Sequence, residues 1–336
     1  MKAVQVSRFG GPEVLRVVDL PSPSLSPDAV RIRVAAAGVN FADIQMRMGL
    51  YPEAPPVPFV PGYEIAGTIT EAGPAVISLK PGNRVLSLCR FGGYATEVVL
   101  PAAFVRKIPA GLTDVEAAAV PVAFTTAWIL LMDMARVRPG DRVLVPGAAG
   151  GVGTAAVQMA HGAGADVVGL VGSSAKKELV LSLGAREVFT YAEWSSTLRP
   201  ASFDIILEPR GGRDARRSLA FLAPAGRMVC YGVSSFVRGF RRSIPRAALS
   251  LLGMPIFTPI GLAMANRGVF GLNILKYFDA GTGILQLGTA LDGAIKGFEK
   301  GRYRAIVGKT WGLEEAGEAH RRLQSREGTG KQILLE

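Results

Sequence analysis

Three glycines at a spacing of three, Gly147, Gly150 and Gly153, lie between the apolar run Val143-Leu-Val-Pro and a stretch of small residues, 151–163. That placement joins a strand to a helix. The chain must turn sharply there, let its backbone approach a ligand, and pack helix on strand with no Cβ between them. A helix opening at such a turn points free N–H groups and a partial positive charge at whatever sits above it, which suits a pyrophosphate. The bland alternative is a small-residue helix that is simply packed tightly. The rhythm around the turn decides for the nucleotide site.

Runs of β-type residues at 141–146, 166–171, 187–191, 203–207 and 227–232 alternate with helical segments at 151–163, 175–183 and 214–222. Strand–helix alternation at this spacing predicts an α/β doubly wound parallel sheet. The rhythm stops at Ser234, where an apolar, basic insert covers residues 234–268, and resumes with a strand at 269–274 and a helix at 284–298. The first 110 residues read differently. Short alternating runs broken by Gly and Pro every eight to twelve residues predict a small barrel or sandwich. Residues 115–134 predict a helix interrupted by Pro121, and the tail from 304 predicts two short strands flanking a helix at 314–323.

Charge is distributed unevenly. The 336 residues carry 38 Lys+Arg against 27 Asp+Glu, a formal charge of +11. Residues 215–278 contain no acid but hold Arg216, Arg217, Arg227, Arg238, Arg241, Arg242, Arg246, Arg267 and Lys276. The basicity is therefore regional, and no nucleic-acid partner is expected. Residues 247–266 are uncharged over a membrane-spanning length, but Gly253, Pro255, Pro259 and Gly261 break the run, predicting a buried or interfacial segment instead. Cys89 and Cys230 exclude a disulfide scaffold and read as core residues. With only His161 and His320 beside them, a zinc centre of His and Cys is not expected. His161 reads as a structural or surface residue, and His320, beside Arg321 and Arg322, as solvated. Met1-Lys2 leads into an alternating Ala-Val-Gln-Val and not a secretory signal, so a cytoplasmic setting is expected.

The end of the second strand bears on the choice of nucleotide. An acid there would accept from a ribose 2′-hydroxyl; this chain has Ser173, Ser174, Lys176 and Lys177. Hydroxyls and ammonium groups suit a 2′-phosphate, so NADPH is the expected cofactor. The simpler reading is that a serine caps the next helix and the lysines are solvated.

Several motifs, in order, resemble one family across nearly the whole chain. They are Gly38-Val-Asn40-Phe-Ala-Asp43, Gly49-Leu-Tyr51-Pro, Pro58-Phe-Val-Pro-Gly62-Tyr-Glu64-Ile-Ala-Gly67, Ala117-Ala-Ala-Val-Pro, Thr125-Thr-Ala-Trp128, the glycine turn, and Gly330-Lys331-Gln-Ile-Leu. The chain resembles the zinc-free medium-chain dehydrogenases/reductases of the quinone oxidoreductase and zeta-crystallin kind. Phe41-Ala-Asp43, the insert and Ala265-Asn266-Arg267 are similar to the vesicle amine transport protein homologues, a branch linked to membranes. The resemblance implies a GroES-like catalytic domain over residues 1–122, rejoined by 303–336, and a Rossmann domain over 123–302, with the cofactor in the cleft between. It implies Asn40 and Thr125 near the nicotinamide, and Gly150, Gly151, Val152 and Gly153 at the pyrophosphate. Ser173, Ser174, Lys176 and Tyr191 would surround the 2′-phosphate. Gly232, Phe270 and Gly271 would line the nicotinamide side, and Lys331 would approach from the tail. A homodimer, paired near 269–274, is implied by analogy.

Where zinc-dependent relatives place Cys and His, this chain has Gly38-Val-Asn40 and Gly62-Tyr63-Glu64. Glu208 replaces the usual Asp before the glycines 211 and 212, and Gln45-Met46 sits where many quinone reductases carry a tyrosine. The expected activity is metal-free hydride transfer from NADPH to an electrophilic acceptor, a quinone or an α,β-unsaturated carbonyl. Asn40 would donate to the acceptor carbonyl or the ribose, and Tyr51 is either proton donor or pocket wall. Two other readings are an NADPH-binding membrane-surface protein with little turnover, from the arginines interleaved with Phe236, Phe240, Leu251, Leu252, Ile256 and Phe257, and a polyketide-type enoyl reductase.

Overall fold

The computed structural model describes all residues except Arg238, Arg241, Arg242 and Ala280, and except the side chains of Arg246 and Ala247. It divides into two compact units: Met1–Thr125 with Gly239–Arg242 and Leu275–Glu336, and Thr126–Arg238 with Ser243–Ile274.

The first unit opens with strands β1 (Lys2–Val6) and β2 (Leu15–Asp19), paired antiparallel. It continues with β3 (Ala29–Val39), β4 (Glu64–Ala72), β5 (Arg84–Leu88), β6 (Glu97–Pro101) and β7 (Val105–Lys107). The second unit supplies β8 (Arg142–Pro146), β9 (Asp166–Val171), β10 (Glu187–Thr190), β11 (Phe203–Glu208), β12 (Leu222–Cys230) and β13 (Gly268–Gly271). The tail returns with β14 (Val307–Gly312) and β15 (Lys331–Leu335).

In the first unit β3 is the hub. Its opening half pairs with β6, from Ala29↔Pro101 to Arg33↔Glu97, and its closing half with β15, from Ala36↔Leu335 to Val39↔Gln332. Strands β4, β5 and β7 continue the sheet on one side, and β14 extends it beyond β15. Alternating residues such as Val30, Ile32 and Val34 point inward, where they meet Ile65, Ile69, Val85, Tyr94, Val98 and Leu334. The tail therefore completes this core. Helix Gly281–Glu299, placed with the parallel sheet by the sequence, packs with the first unit: Arg106 Nε meets Asp292 Oδ1 at 2.6 Å, and Phe124 lies edge-on to Phe298.

The second unit is a six-stranded, all-parallel sheet in the order β10-β9-β8-β11-β12-β13. Counted from β8, this is 3-2-1-4-5-6, the doubly wound order, with its reversal between β8 and β11. Ligands of such sheets bind beyond the carboxyl ends of the strands at that reversal. The strands are near-continuous apolar runs because helices cover both faces. Leu144, Val168, Leu170, Phe203, Ile206 and Met228 pack with Trp194 and Phe221.

The insert forms two short helices, Ile244–Leu252 and Pro259–Ala265, with no buried side chain in the second. Leu252 is 80% and Ile256 91% exposed. Among the described residues of the insert, Val237 is buried and Phe257 packs against the core of the unit. Of the two readings of run 247–266, buried or interfacial, the exposed Leu249, Leu251, Leu252, Ile256, Ile260 and Met264 fit the interfacial one. Arg238, Arg241, Arg242 and the Arg246 side chain, most of the insert's positive charge, lie outside the described residues. The long apolar stretch Asp114–Met134 has the length of a membrane span but is mostly buried within the protein, as a core helix is.

Candidate functional site

The glycine turn has the geometry a dinucleotide needs. Gly147 has φ +73°, a conformation favouring glycine, and its carbonyl accepts from Gly150 N–H at 2.9 Å. A Cβ on Gly153 would collide with the Gly147 carbonyl oxygen. Gly150 precedes the twelve-residue helix Gly151–Gly162, whose first-turn N–H groups at Gly151, Val152 and Gly153 have no intrahelical acceptor. These donors lie at the carboxyl end of β8, beside the reversal of strand order.

Around the same sheet end, Ser173 and Ser174 follow β9, and both are exposed. Ser173 precedes the turn Ser174–Lys176 but makes no side-chain capping bond, so the capping explanation fails for it. Lys177 is partly exposed and its Nζ pairs with Glu193 Oε2 at 2.8 Å. Lys176 is half-buried and nearer the serines in sequence. Tyr191 follows β10, and the Arg210 guanidinium lies over its ring at 4.1 Å. Gly232, Phe270 and Gly271 gather at the ends of β12 and β13, where Cys230 pairs with Gly271. A Cβ on Gly232 would sit 2.6 Å from the Pro209 carbonyl oxygen.

Glu208, in place of the usual Asp, is a structural carboxylate. Almost fully buried, it accepts from Arg210 N at 2.7 Å, Gly211 N at 3.3 Å and Ser218 Oγ at 2.6 Å. It thereby fixes a loop whose Gly211 and Gly212 both have positive φ. Burial raises its pKa, opposed by those donors.

In the first unit the structure joins two predicted residues through a third that the sequence left without a role. Lys331 Nζ donates to Asn40 Oδ1 at 2.7 Å and Val39 O at 3.1 Å, and pairs closely with Glu64 Oε1. Asn40 Nδ2 donates to Glu64 Oε1 at 2.9 Å, and Glu64 Oε2 accepts from Val122 N at 2.7 Å. Glu64 is fully buried and Lys331 nearly so. All three ammonium hydrogens have acceptors, so Lys331 orients the Asn40 amide and holds no donor in reserve. Gly38 leaves room for this cluster, since a Cβ there would strike the Glu64 carboxylate.

A second buried network runs behind Asn40. Asp43 accepts from Asn40 N at 2.8 Å, Gly62 N at 3.1 Å and the Tyr94 hydroxyl at 3.0 Å. His320 Nε2 lies 3.1 Å from the Tyr94 hydroxyl, Arg47 Nη1 lies 3.4 Å from His320 Nδ1, and Arg47 Nη2 donates to Gln324 Oε1 at 3.0 Å. Burial pushes Asp43 up to about 7 and Arg47 down to about 10. It also holds His320 well below the usual imidazole range, helped by the Arg47 charge. Because Tyr94 donates to Asp43 and Arg47 to Nδ1, the neutral imidazole carries its proton on Nε2. The expectation that His320 is solvated is thus wrong: it is fully buried. Helical spacing held the clue, because His320 and Gln324 share a stripe with Ala316, Ala319 and Leu323. His161 is exposed, as a surface residue should be.

Tyr51 is half-buried against the barrel core, with its hydroxyl pushed up to about 12 by burial and by Glu53. Thr125 is fully buried and its hydroxyl has no partner, an orphaned polar atom that a ligand amide could satisfy. Tyr63, at a position where zinc-dependent relatives carry a ligand, directs its hydroxyl to Met46 Sδ at 3.2 Å. Among the described residues, no three His, Cys, Asp or Glu side chains gather as a metal would require.

Residues 26–110 match the alcohol dehydrogenase GroES-like domain and residues 151–250 the domain described as zinc-binding dehydrogenase. Synaptic vesicle membrane protein VAT-1 homolog of Rattus norvegicus is 31% identical over 342 residues, covering 100% of this chain and 84% of that protein. Quinone oxidoreductase of the same species is 32% identical, covering 100% and 98%. Among solved structures, the Thermus thermophilus quinone oxidoreductase, determined free and with NADPH, has 35% identity and a TM-score of 0.81 with full coverage of both chains. With both domains in place and relatives of this identity aligned end to end, the chain belongs to the medium-chain dehydrogenase/reductase family, in its quinone oxidoreductase branch.

Proposed function

We propose that the protein is an NADPH-dependent reductase that delivers a hydride, without metal, to a quinone or an α,β-unsaturated carbonyl. The observation that carries this reading is the glycine turn at the strand-order reversal of a parallel sheet, followed by a β9 end bearing Ser173, Ser174 and Lys176 and no acid. NADPH complexes of related quinone oxidoreductases support it. Each unit by itself offers groups that suit the cofactor: the second has free helix N–H groups for a pyrophosphate and hydroxyls and cations for a 2′-phosphate, and the first has the orphan Thr125 hydroxyl, which suits an amide.

Bound NADPH supplies the hydride from its nicotinamide ring. The chain's own residues orient and enclose. Lys331 and Glu64 lock the Asn40 amide, whose Nδ2 gives one hydrogen to Glu64 and turns the other toward Gly38 O at 3.4 Å, so donation to an acceptor carbonyl would replace that longer contact and keep the Glu64 bond. Tyr51 stays protonated at neutral pH, which suits a proton donor to the reduced acceptor. Full activity of a Tyr51→Phe variant would remove it from that role. The proposal as a whole is tested by NADPH oxidation against quinones, enones, alkenals and alcohol–NADP⁺ pairs, with NADH as control. Turnover of quinones or enones supports it, and activity with alcohols alone overturns it.

One observation favours a second property, contact with an anionic membrane. Leu251, Leu252, Ile256, Ile260 and Met264 expose a run of apolar side chains on the insert helices and the loop between them. Beside them the helix Gly212–Phe221 exposes Arg213, Arg216 and Arg217, and Arg216 Nη2 donates to the Met254 carbonyl. Apolar residues flanked by arginines suit insertion among anionic headgroups. Co-sedimentation with anionic vesicles at low salt is the test, and no binding there would end this second reading.

A further inference from the structure

We infer that Arg210 is a cofactor-recognition residue, its guanidinium reading the 2′-phosphate that distinguishes NADPH from NADH. The inference rests on the NADPH reading above and adds a residue that neither the glycine turn nor the β9 end contains.

Tyr191 follows β10 and Arg210 follows β11, and β9 and β8 lie between those strands. Strands spaced at about 4.8 Å put β10 and β11 roughly 14 Å apart. The two side chains nevertheless meet at 4.1 Å, so each reaches inward across the carboxyl ends of β9 and β8. Those ends carry Ser173, Ser174 and Lys176 on one strand and the glycine turn on the other. A Cβ on Gly147 would lie 3.9 Å from Pro209 Cγ, which places the Arg210 loop directly beside the turn. The guanidinium therefore stands over the adenosine half of the crevice.

Beyond its side-chain hydrogen bond with Tyr191 and its ion pair with Asp214, the guanidinium has further N–H donors. Asp214 Oδ2 approaches Nε at 2.8 Å, but Nε is buried with no acceptor in line. A guanidinium offers five N–H donors in a rigid fork suited to two oxygens of one phosphate. The nearest buried acid, Glu208, does not compete, because its oxygens are spent on Arg210 N, Gly211 N and Ser218 Oγ. The Tyr191 ring beside it and the hydrogen bond to the Tyr191 side chain hold the guanidinium in place and reduce the entropy lost when a phosphate binds.

The test is equilibrium binding of NADPH and NADH, read by cofactor fluorescence, for the wild-type protein, Arg210→Leu and Arg210→Lys. Arg210→Leu is expected to weaken NADPH roughly 10- to 100-fold and to change NADH by less than about threefold. Arg210→Lys should recover part of the loss, since it keeps the charge but not the fork. Adenosine 2′,5′-bisphosphate should displace NADPH from the wild-type protein and compete far less well for Arg210→Leu. Equal losses for both nucleotides would mean that Arg210 only supports the loop, and an unchanged preference for NADPH would mean that it does not touch the phosphate. Either result overturns the inference while leaving NADPH binding intact. Failure of the wild-type protein to bind NADPH at all would overturn the cofactor reading itself.

Discussion

At the scale of single residues, the buried charges sort into one closed cluster and one relay. Lys331 and Glu64 form a nearly solvent-free ion pair whose every partner is internal. Lys331→Met would leave the Glu64 carboxylate buried and uncompensated, a loss of about 3–5 kcal/mol in unfolding free energy. Adding Glu64→Gln to that variant should restore much of it, and urea unfolding checks both. His320 gives a pH signature. Its folded pKa is depressed, so an unfolded chain takes up a proton below about pH 6.5 that the folded protein refuses. Stability contributed by the neutral ring is therefore present above about pH 6.5 and lost as pH falls, by up to about 1.4 kcal/mol per pH unit. Asp43, raised to about 7, works in the opposite sense: its contribution is complete below about pH 4 and is lost as pH rises through 7. A His320→Gln variant should be less stable than wild type at about pH 7.5, with the gap narrowing toward about pH 5. A constant gap in melting temperature would contradict the buried neutral imidazole. None of these partnerships is legible in the sequence, because Asp43, Tyr94 and His320 are far apart along the chain and only the folded barrel brings them together.

At the scale of elements, the glycine turn is the most legible part and the insert the least. Regular spacing revealed the turn because each glycine answers a local geometric need, and the structure supplies one for Gly153 in the Gly147 carbonyl. Gly153→Val should weaken NADPH binding at least about tenfold by forcing that contact apart, measured by the same fluorescence titration. Unaltered affinity would place the pyrophosphate elsewhere. The insert had no such rule to follow. Its uncharged run fits a buried helix and an exposed one equally well, and only tertiary placement decides between them. Substituting Leu252 and Ile256 together by Ser should leave the fold intact, since both are exposed, and should abolish sedimentation with anionic vesicles. Persistent binding would attribute it to charge alone.

For the whole molecule, the alternation of strand and helix was enough to foretell a parallel sheet, and the Gly/Pro-broken amino-terminal third a small barrel or sandwich. The sequence did not tell that helix Gly281–Glu299 belongs with the barrel, because its Asp292–Arg106 bond and Phe298–Phe124 contact join residues far apart along the chain. Strand β13 pairs on one side only among the described residues, with β12. An unpaired edge is a template for a second copy of the chain, and a dimer by sedimentation velocity is the expected outcome. The central claim is metal-free, NADPH-driven reduction, and its most direct test is the rate of NADPH consumption with quinone and enone acceptors in the presence of a strong chelator. NADPH oxidation should be unchanged by chelation, and NADH should replace NADPH only at a far lower rate. No consumption with any acceptor, or activity that disappears with chelation and returns with zinc, would contradict the claim.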